Sequence, residues 1–228
     1  MEKKQSNLYR DVLRCLDREG ILPHVLLIGS WCGQLYKNYF KTRQYTPTIR
    51  TRDIDFLIPL PARFKKKVDL QEIFQSLGFN IVFKGRDGVI TFEHPNLIIE
   101  FLVPERGRGS NKPYPLPQLG INAQPLRFLD LLNQNTVCIP LDDIIVTVPH
   151  PANFAIHKLI ISSRRDKPEK RDKDRALAVE VLNTLANTDQ SRSITELFRS
   201  LPRKWQKLAS QALSETQHSE KIEPLFGI

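Results

Sequence analysis

The feature that most constrains the fold of this 228-residue chain is a short apolar run that opens with two acids, Asp53-Ile54-Asp55-Phe56-Leu57-Ile58. Acidic and large apolar residues alternate at its start, a pattern typical of a strand with one buried face. Because strand side chains alternate between faces, we expect Asp53 and Asp55 on one face, about 6.6 Å apart along the strand. Two carboxylates held side by side stay ionised only with a cation between them, and Mg²⁺ is a natural partner for oxygen ligands.

A third acid, Glu100, stands inside the apolar run Leu97–Val103, where an unpaired carboxylate would be costly. If this run forms a strand beside the one that carries Asp53 and Asp55, three carboxylates come together. Such a group can hold two metal ions about 3.5–4 Å apart. The alternative is that all three acids face solvent on half-exposed strands, which is the commoner outcome for an isolated Asp-x-Asp pair.

A glycine and a serine, Gly29-Ser30, separate the compact apolar run His24–Ile28 from a predicted helix over residues 31–40. Glycine lets a backbone approach a phosphate closely, and a helix N-terminus offers free N–H groups and a positive dipole end to an anion. A Gly-Ser pair at a strand end is by itself more often a simple turn. The order of strand, Gly-Ser, helix, Asp-x-Asp strand and acid-bearing strand is more specific, and it predicts a triphosphate cradle beside a metal site.

Hydrophobic periodicity and turn residues predict the remaining elements. The further predicted helices are 6–19, 69–77 and 126–132, and the predicted strands are 80–84, 89–93, 97–103, 137–139 and 144–148. Residues 104–120, rich in Pro and Gly, are predicted to be a loop, and the last two strands to complete the sheet. Everything after Pro151 is predicted to be helical, with a capping box at Ser193–Glu196 and Pro202 in the first turn of a final helix. The fold class is therefore α/β (α+β), with domains at 1–150 and 151–228.

Charge and composition narrow the classes of protein that fit. The net charge is +9, and a basic surface attracts polyanions such as RNA. No apolar stretch is long enough for a transmembrane helix, and the N-terminus has no secretory signal. Three scattered cysteines form neither a zinc motif nor a disulfide framework, which predicts a reduced, cytoplasmic setting.

One lysine, Lys158, lies in the segment Asn153–Ile161, which is apolar nearly all round and is therefore predicted to be a buried helix. A buried ammonium group needs an anionic partner. The functional interpretation is a phosphate or the acid cluster. The structural interpretation is an ion pair with an aspartate, or an ammonium that reaches the surface. Trp31 and Tyr114 are candidates for stacking on a base, with packing as the alternative for Trp31.

The combination of L-L-I-G-S-W, T-R-D-I-D-F-L-I and I-I-E-F-L resembles the core pattern of the DNA polymerase beta-type nucleotidyltransferases. The later stretch P-H-P-A-N-F-A-I-H-K-L-I-I-S-S-R-R…K-R-D-K-D-R-A is similar to the tail of a little-characterised bacterial family in that superfamily. It is more distantly similar to the AbiEii-type toxin nucleotidyltransferases. The resemblance covers most of residues 21–185. It implies a nucleotidyltransferase-type mixed β-sheet with flanking helices, followed by an α-helical C-terminal region.

The same resemblance implies transfer of a nucleoside monophosphate from an NTP to a hydroxyl group, with release of pyrophosphate and two Mg²⁺ ions, for which Mn²⁺ can substitute. By position, Gly29 and Ser30 would hold the triphosphate, and Asp53 and Asp55 would bind both metals. Glu100 would complete the second metal site and assist deprotonation of the attacking hydroxyl, although many relatives have Asp there.

The resemblance also selects Arg164, Lys173 and Asp174, and it implies phosphate binding for the two basic residues in addition to Lys158; a solvated linker is the alternative for this charged run. Asp174 would orient Lys173. Arg50 and Arg52, which directly precede the acids, either meet phosphate or offset the acidic charge. Contact with the acceptor is expected from the loop that carries Arg106, Arg108, Lys112 and Tyr114.

The acceptor itself stays open at this point: an RNA such as a tRNA end, a small hydroxylated molecule, or a protein side chain. The alternative function is a non-catalytic nucleotide- or RNA-binding module of the same fold. The three acids favour the enzyme, because binding alone does not require clustered carboxylates. A phosphohydrolase using the same metals is a weaker alternative, since no His-Asp metal motif supports it.

Overall fold

The computed structural model describes residues 2–42, 45, 51–85, 88–105, 107 and 112–227. The chain divides into two compact units, Met1–Cys32 with Arg50–Val148, and Gly33–Ile49 with Pro149–Ile228. The helices are α1 (Glu2–Arg18), α2 (Cys32–Phe40), α3 (Leu70–Ser76), α4 (Asp130–Asn133), α5 (Pro151–Ser162), α6 (Pro168–Ala186), α7 (Ser191–Ser200), α8 (Arg203–Ser214) and α9 (Glu223–Phe226). The strands are β1 (Leu26–Ile28), β2 (Asp53–Leu57), β3 (Asn80–Lys84), β4 (Val89–Glu93), β5 (Ile98–Pro104), β6 (Tyr114–Leu116), β7 (Ile121–Leu126), β8 (Thr136–Leu141) and β9 (Ile144–Pro149). The predicted domain boundary at residue 150 stays a prediction.

The first unit is built on a mixed sheet, which confirms the predicted fold class. Among the described residues its main strand order is β1-β2-β5-β4-β3. β2 and β5 run parallel, whereas the β1–β2, β4–β5 and β3–β4 pairs are antiparallel. The predicted hairpin of residues 80–84 and 89–93 is thereby confirmed, as is the predicted pairing of the Asp53–Asp55 strand with the Glu100 strand.

The two faces of this sheet differ in polarity. On one face, Phe56 and Phe101 stack at 5.5 Å, and Phe74 of α3 packs on Phe92 and Phe101 at ring distances of 4.7 and 6.2 Å. Helix α3 is placed for this contact by Asp69, whose carboxylate accepts hydrogen bonds from the first-turn N–H groups, as predicted. The opposite face is apolar only in part, and it carries the acids.

On that opposite face, an apolar cluster lies at one end of the central strands. It consists of five leucines and one isoleucine, all buried: Leu26, Ile28, Leu57, Leu102, Leu129 and Leu132. Because side chains alternate along a strand, Leu57 lies on the same face as Asp55, and Leu102 on the same face as Glu100. Along both β2 and β5, this face therefore changes from a buried leucine to an acid within two residues.

The predictions for residues 104–148 are wrong in three respects. Tyr114–Leu116 forms β6 inside the predicted loop, and Ile121–Leu126 forms β7, which pairs with both β5 and β6. Each of these strands contains a proline, which argues against a strand in the sequence. A proline is tolerated in β6 because, within the described residues, that strand pairs with β7 on one side only. The predicted helix 126–132 shrinks to α4. The strands β8 and β9 form a separate two-stranded sheet and do not complete the main one, which β7 and β6 extend at β5.

The second unit is helical, as predicted. The predicted capping box is wrong: Ser193 lies inside α7 and donates a hydrogen bond to the Gln190 carbonyl at 2.7 Å. The chain turns earlier because the Thr188 hydroxyl accepts the Gln190 N–H at 3.2 Å, which lets the helix begin at Ser191. Pro202 immediately precedes α8 and does not lie in its first turn, and α8 is not the final helix that the sequence predicts, because the short α9 follows it.

Within the described ranges, we find no helix with both the length and the apolar character needed to span a bilayer.

Candidate active site

The parallel pairing of β2 and β5 brings two of the predicted acids side by side. Asp55 lies directly opposite Glu100, and Asp53 lies opposite Ile98, one pleat away on the same face. Asp53 is exposed, whereas Asp55 and Glu100 are partly buried. Their alternate neighbours Ile54 and Phe56 are fully buried and hold the register, because a slip of one residue would turn every side chain to the other face.

The predicted phosphate turn lies against this acidic face. Ile28, the last residue of β1, pairs with Asp55, and Gly29 follows with φ +75°. A Cβ built on Gly29 would overlap the Asp55 carboxylate oxygen Oδ2 and lie 3.3 Å from its Cγ. Two features therefore favour glycine at this position: the positive φ and the close approach of the backbone to the Asp55 carboxylate. The partly buried Ser30 continues the turn, and α2 begins at Cys32.

Glu100 has a cationic partner that the sequence did not reveal. Lys84 donates a hydrogen bond from Nζ to Glu100 Oε1 at 2.7 Å, and its Nζ lies 4.0 Å from Glu93 Oε1. Partial burial works against the charged form of Lys84, but the hydrogen bond to Glu100 and the charges of Glu100, Glu93 and Asp53 outweigh it. Together they raise the pKa of Lys84 above its ordinary value.

The residues of this face fit a divalent cation in part. All three acids offer oxygen ligands, which suit Mg²⁺, and the Lys84 ammonium shows that Glu100 takes a cation at this place. The side chains themselves do not form a three-acid cage: across the residues that the structure describes, no group of three or more His, Cys, Asp or Glu side chains is arranged to hold a metal ion. The predicted metal cage of Asp53, Asp55 and Glu100 thus stays a prediction.

The hairpin register supplies the signal that could have found Lys84. Lys84 pairs with Val89, and Thr91, two residues on, pairs with Glu100. Counting alternate residues through the hairpin therefore places Lys84 on the face of Glu100. Thr91 lies on the same face and is buried, and its hydroxyl has no hydrogen-bond partner among the residues described.

In the second unit, Lys158 is buried in α5, as the sequence predicts. Its Nζ donates to Asp174 Oδ1 at 2.6 Å, and Arg165 Nε donates to Asp174 Oδ2 at 2.7 Å. Burial would raise the pKa of Asp174, but the charges and hydrogen bonds of Lys158 and Arg165 outweigh it and hold the pKa below its ordinary value. The ion pair that the sequence left as the structural alternative is therefore present. Both carboxylate oxygens of Asp174 pair with these two cations. This arrangement gives no support to the prediction that Asp174 orients Lys173.

The other predicted site residues are spread over both units. Arg164 and Lys173 are exposed in the second unit, where their phosphate contacts stay predictions. In the first unit, Arg52 donates to the His94 carbonyl at 2.9 Å, and Trp31 is buried and stacks on Tyr9 at 4.2 Å, so packing accounts for it. Tyr114 is exposed on β6. Three predicted residues lie outside the described residues: Arg50, Arg106 and Arg108.

Known proteins of similar sequence or structure were compared with the chain. No match was found among curated proteins. A solution structure of the antibiotic-resistance factor ANT(2'')-Ia is similar at 15% identity and a TM-score of 0.48, over 88% of this chain and 94% of that one. A crystal structure of ANT(2'')-Ia in complex with adenylyl-2''-tobramycin is similar at 15% identity and a TM-score of 0.46, over 93% and 98%. An antigenic nucleotidyltransferase-like protein from Paracoccidioides brasiliensis is similar at 14% identity and a TM-score of 0.42, over 95% and 96%.

The decisive comparison is with family models. The model described as nucleotidyltransferase matches residues 7–202, which include the Gly-Ser turn, all three acids and the Lys158–Asp174 pair. The closer relationships to a bacterial family and to AbiEii-type toxins stay predictions. The match over most of the chain confirms the broader resemblance seen in the sequence, and the chain belongs to the nucleotidyltransferases.

Proposed function

We propose that this protein is a Mg²⁺-dependent enzyme that transfers a nucleoside monophosphate from an NTP to a hydroxyl acceptor and releases pyrophosphate. One observation carries the proposal: the Gly29 backbone lies directly against the Asp55 carboxylate, and Asp55 lies opposite Glu100. A turn suited to phosphate and a face suited to divalent cations are thus adjacent, as nucleotidyl transfer requires.

The turn would bind the triphosphate. The Ser30 hydroxyl is a donor for phosphate oxygens, and the turn leads into the N-terminus of α2, the positive end of its helix dipole. The Cys32 N–H at that end donates to the Gly29 and Ser30 carbonyls. The nine-residue α2 is long enough to contribute such a dipole. The Ser30 hydroxyl and the helix dipole position the α-phosphate without themselves taking part in bond making.

The acids would perform the metal-assisted part of the reaction. Asp53 and Asp55 would hold Mg²⁺, and Glu100 would complete a second site. When bound, the metal neutralises charge on the phosphates and lowers the barrier to attack. The acceptor hydroxyl oxygen bonds to the α-phosphorus, the bond to the pyrophosphate oxygen breaks, and Glu100 takes up the hydroxyl proton.

The acceptor we propose is an RNA, with a small hydroxylated molecule or a protein side chain as the other arms of the test. The net charge of +9 supports a polyanionic acceptor. Exposed Arg164 and Lys173 are proposed phosphate contacts, whereas we assign Lys158 to its ion pair with Asp174. A reduced, cytoplasmic setting is proposed from the scattered free cysteines.

The test incubates purified protein with Mg²⁺, each NTP labelled at the α-phosphate, and total RNA, protein or small-molecule extract. We expect label to enter one acceptor class, and Asp55→Asn to lower the rate at least about a thousandfold, since the metal ligand is lost. Asp53→Asn should do the same. Chelation of divalent ions should stop transfer in the wild type.

The matched control is Asp143→Asn, an exposed aspartate of the same unit that pairs with Arg14 at 3.1 Å and lies outside the acidic face. It should keep wild-type transfer. Full transfer by Asp53→Asn and Asp55→Asn would contradict the metal assignment.

A second candidate is a nucleotide- or RNA-binding module without turnover. The observation in its favour is the engagement of Glu100 by Lys84, together with the lack of a three-acid cage among the described side chains. Nucleotide binding that is unchanged by chelation, with no product from any acceptor, favours the module over the enzyme.

A further inference from the structure

Lys84 sits where the proposed reaction needs a metal. It is the last residue of β3, and its ammonium contacts Glu100 at 2.7 Å and Glu93 at 4.0 Å. The charge of Asp53 also acts on it. The acid proposed as the third metal ligand is therefore already neutralised by a side chain of the protein.

The ammonium of Lys84 can move away from Glu100 at little cost. The Lys84 side chain is partly exposed, and its flexible four-carbon stem lets the ammonium move into water at little cost. Lys84 contacts only Oε1 of Glu100, so a divalent ion could reach the second oxygen, but the two positive charges would then lie within a few Å of each other and repel. Two cations therefore compete for Glu100, one attached to the chain and one from solution.

We propose that Lys84 is an internal counter-cation of the acidic face, which holds Glu100 in the metal-free protein and competes with the divalent ion for it. Lys84 is then a positioning residue that sets metal affinity and acts on the reaction only through Glu100. The proposal rests on the proposed function in one respect, the binding of a divalent cation at this face.

The test is titration of Mn²⁺ into nucleotide-free protein, followed by calorimetry or by the electron paramagnetic resonance of the free ion. Lys84→Met should bind Mn²⁺ about three- to five-fold more tightly than wild type. The substitution removes a competing positive charge, and the effect is modest because that charge is partly exposed to solvent. Lys84→Arg keeps the competing charge and should stay close to wild type. Lys84→Gln is the second neutral variant, used if Lys84→Met does not fold.

The matched control is Lys66→Met. Lys66 belongs to the same unit, is exposed and pairs with Glu19 at 3.4 Å, so its loss changes the net charge equally without touching the acidic face. It should leave the affinity unchanged. In a Glu100→Gln background, Lys84→Met should lose most of its effect, because the carboxylate that Lys84 contacts is gone and only its longer-range interaction with Asp53 remains.

The outcomes separate this inference from the proposed function. If wild type binds Mn²⁺ and neither neutral Lys84 variant binds it more tightly, the counter-cation role is refuted and the proposed function stands. If Lys66→Met tightens binding as much, the effect is one of net charge and the role is likewise refuted. If wild type binds no divalent ion, the metal-dependent function fails and this inference fails with it.

Discussion

Two lysine–carboxylate pairs of nearly equal length occupy very different surroundings in this protein. Lys84 and Glu100 meet at 2.7 Å with side chains 42% and 24% exposed, whereas Lys158 and Asp174 meet at 2.6 Å with side chains 6% and 7% exposed. Distance alone would give both pairs the same role. Exposure decides between them: the first pair is open to water, which is why we propose that a divalent ion competes for its carboxylate, and the second is part of the interior.

The buried pair shows why a lysine in an apolar helix is weak evidence for a binding site. Asp174 supplies the anion that Lys158 needs, and Arg165 satisfies the second carboxylate oxygen. The partly exposed pair of Lys84 and Glu100 teaches the opposite lesson. Nothing in its sequence context indicates a functional lysine, yet the pair lies on the acidic face where the chemistry is expected.

Asp174→Asn should lower the free energy of unfolding by about 3–5 kcal/mol, because it leaves the Lys158 charge buried without a counter-charge. Urea denaturation at pH 7 measures this. The control is Asp172→Asn on the same helix, whose exposed side chain lies 3.7 Å from Arg171 and whose loss should change little. Equal effects of the two substitutions would contradict the assignment of Lys158 to a buried pair.

The surroundings of the buried pair should also make stability depend on pH through His157. Burial, with the Lys158 charge beside it, lowers the pKa of His157 to about 3. Below about pH 6.5, His157 becomes protonated in the unfolded chain but stays neutral in the native protein. The free energy of unfolding therefore falls as the pH falls towards the native pKa. Between pH 7 and pH 5.5 we expect a loss of about 1 kcal/mol from this residue.

His157→Gln separates this effect from others. The variant should show a flatter dependence of unfolding free energy on pH between 7 and 5.5 than wild type. Asp174 does not interfere in this window, since its pKa is lowered and its stabilising contribution is lost only in stronger acid, below about pH 4. Parallel curves for wild type and variant would show that His157 is not buried in its neutral form.

Lys84→Met should have the smallest effect on stability, below about 1 kcal/mol after allowance for solvent screening of a partly exposed pair. Urea denaturation under the conditions used for Asp174→Asn gives a direct comparison. A loss as large as that of Asp174→Asn would remove the contrast between the two pairs and, with it, the exchangeable character of Lys84.

Local chemistry made much of the first unit predictable. The Asp69 cap, the hairpin of β3 and β4, and the strand that carries Asp53 and Asp55 each depend on neighbouring residues, and each was confirmed. The misassigned region depends on long-range pairing. Tyr114–Leu116 becomes a strand only because Ile121–Leu126 offers it a partner, which no local pattern reveals.

The site was predictable in its backbone and less so in its side chains. Period-two alternation placed Asp53 and Asp55 on one face, and the parallel register then put Glu100 beside Asp55. The hairpin register places Lys84 on the face of Glu100, but the contact between the two depends on side-chain geometry across three strands, which the sequence pattern does not predict. Gly29 is a further case: its sequence context indicated a turn, but only the structure shows how closely it approaches Asp55.

The most direct measurement of the central claim follows two labels through one reaction. Wild-type protein is incubated with Mg²⁺, an acceptor extract and one NTP, labelled at the α-phosphate in one sample and at the γ-phosphate in the other. Nucleotidyl transfer at the acidic face predicts α-label in the acceptor and γ-label in pyrophosphate, both lost in Asp55→Asn. Labels that both remain in intact NTP, or γ-label released as inorganic phosphate with no α-label in the acceptor, would contradict it.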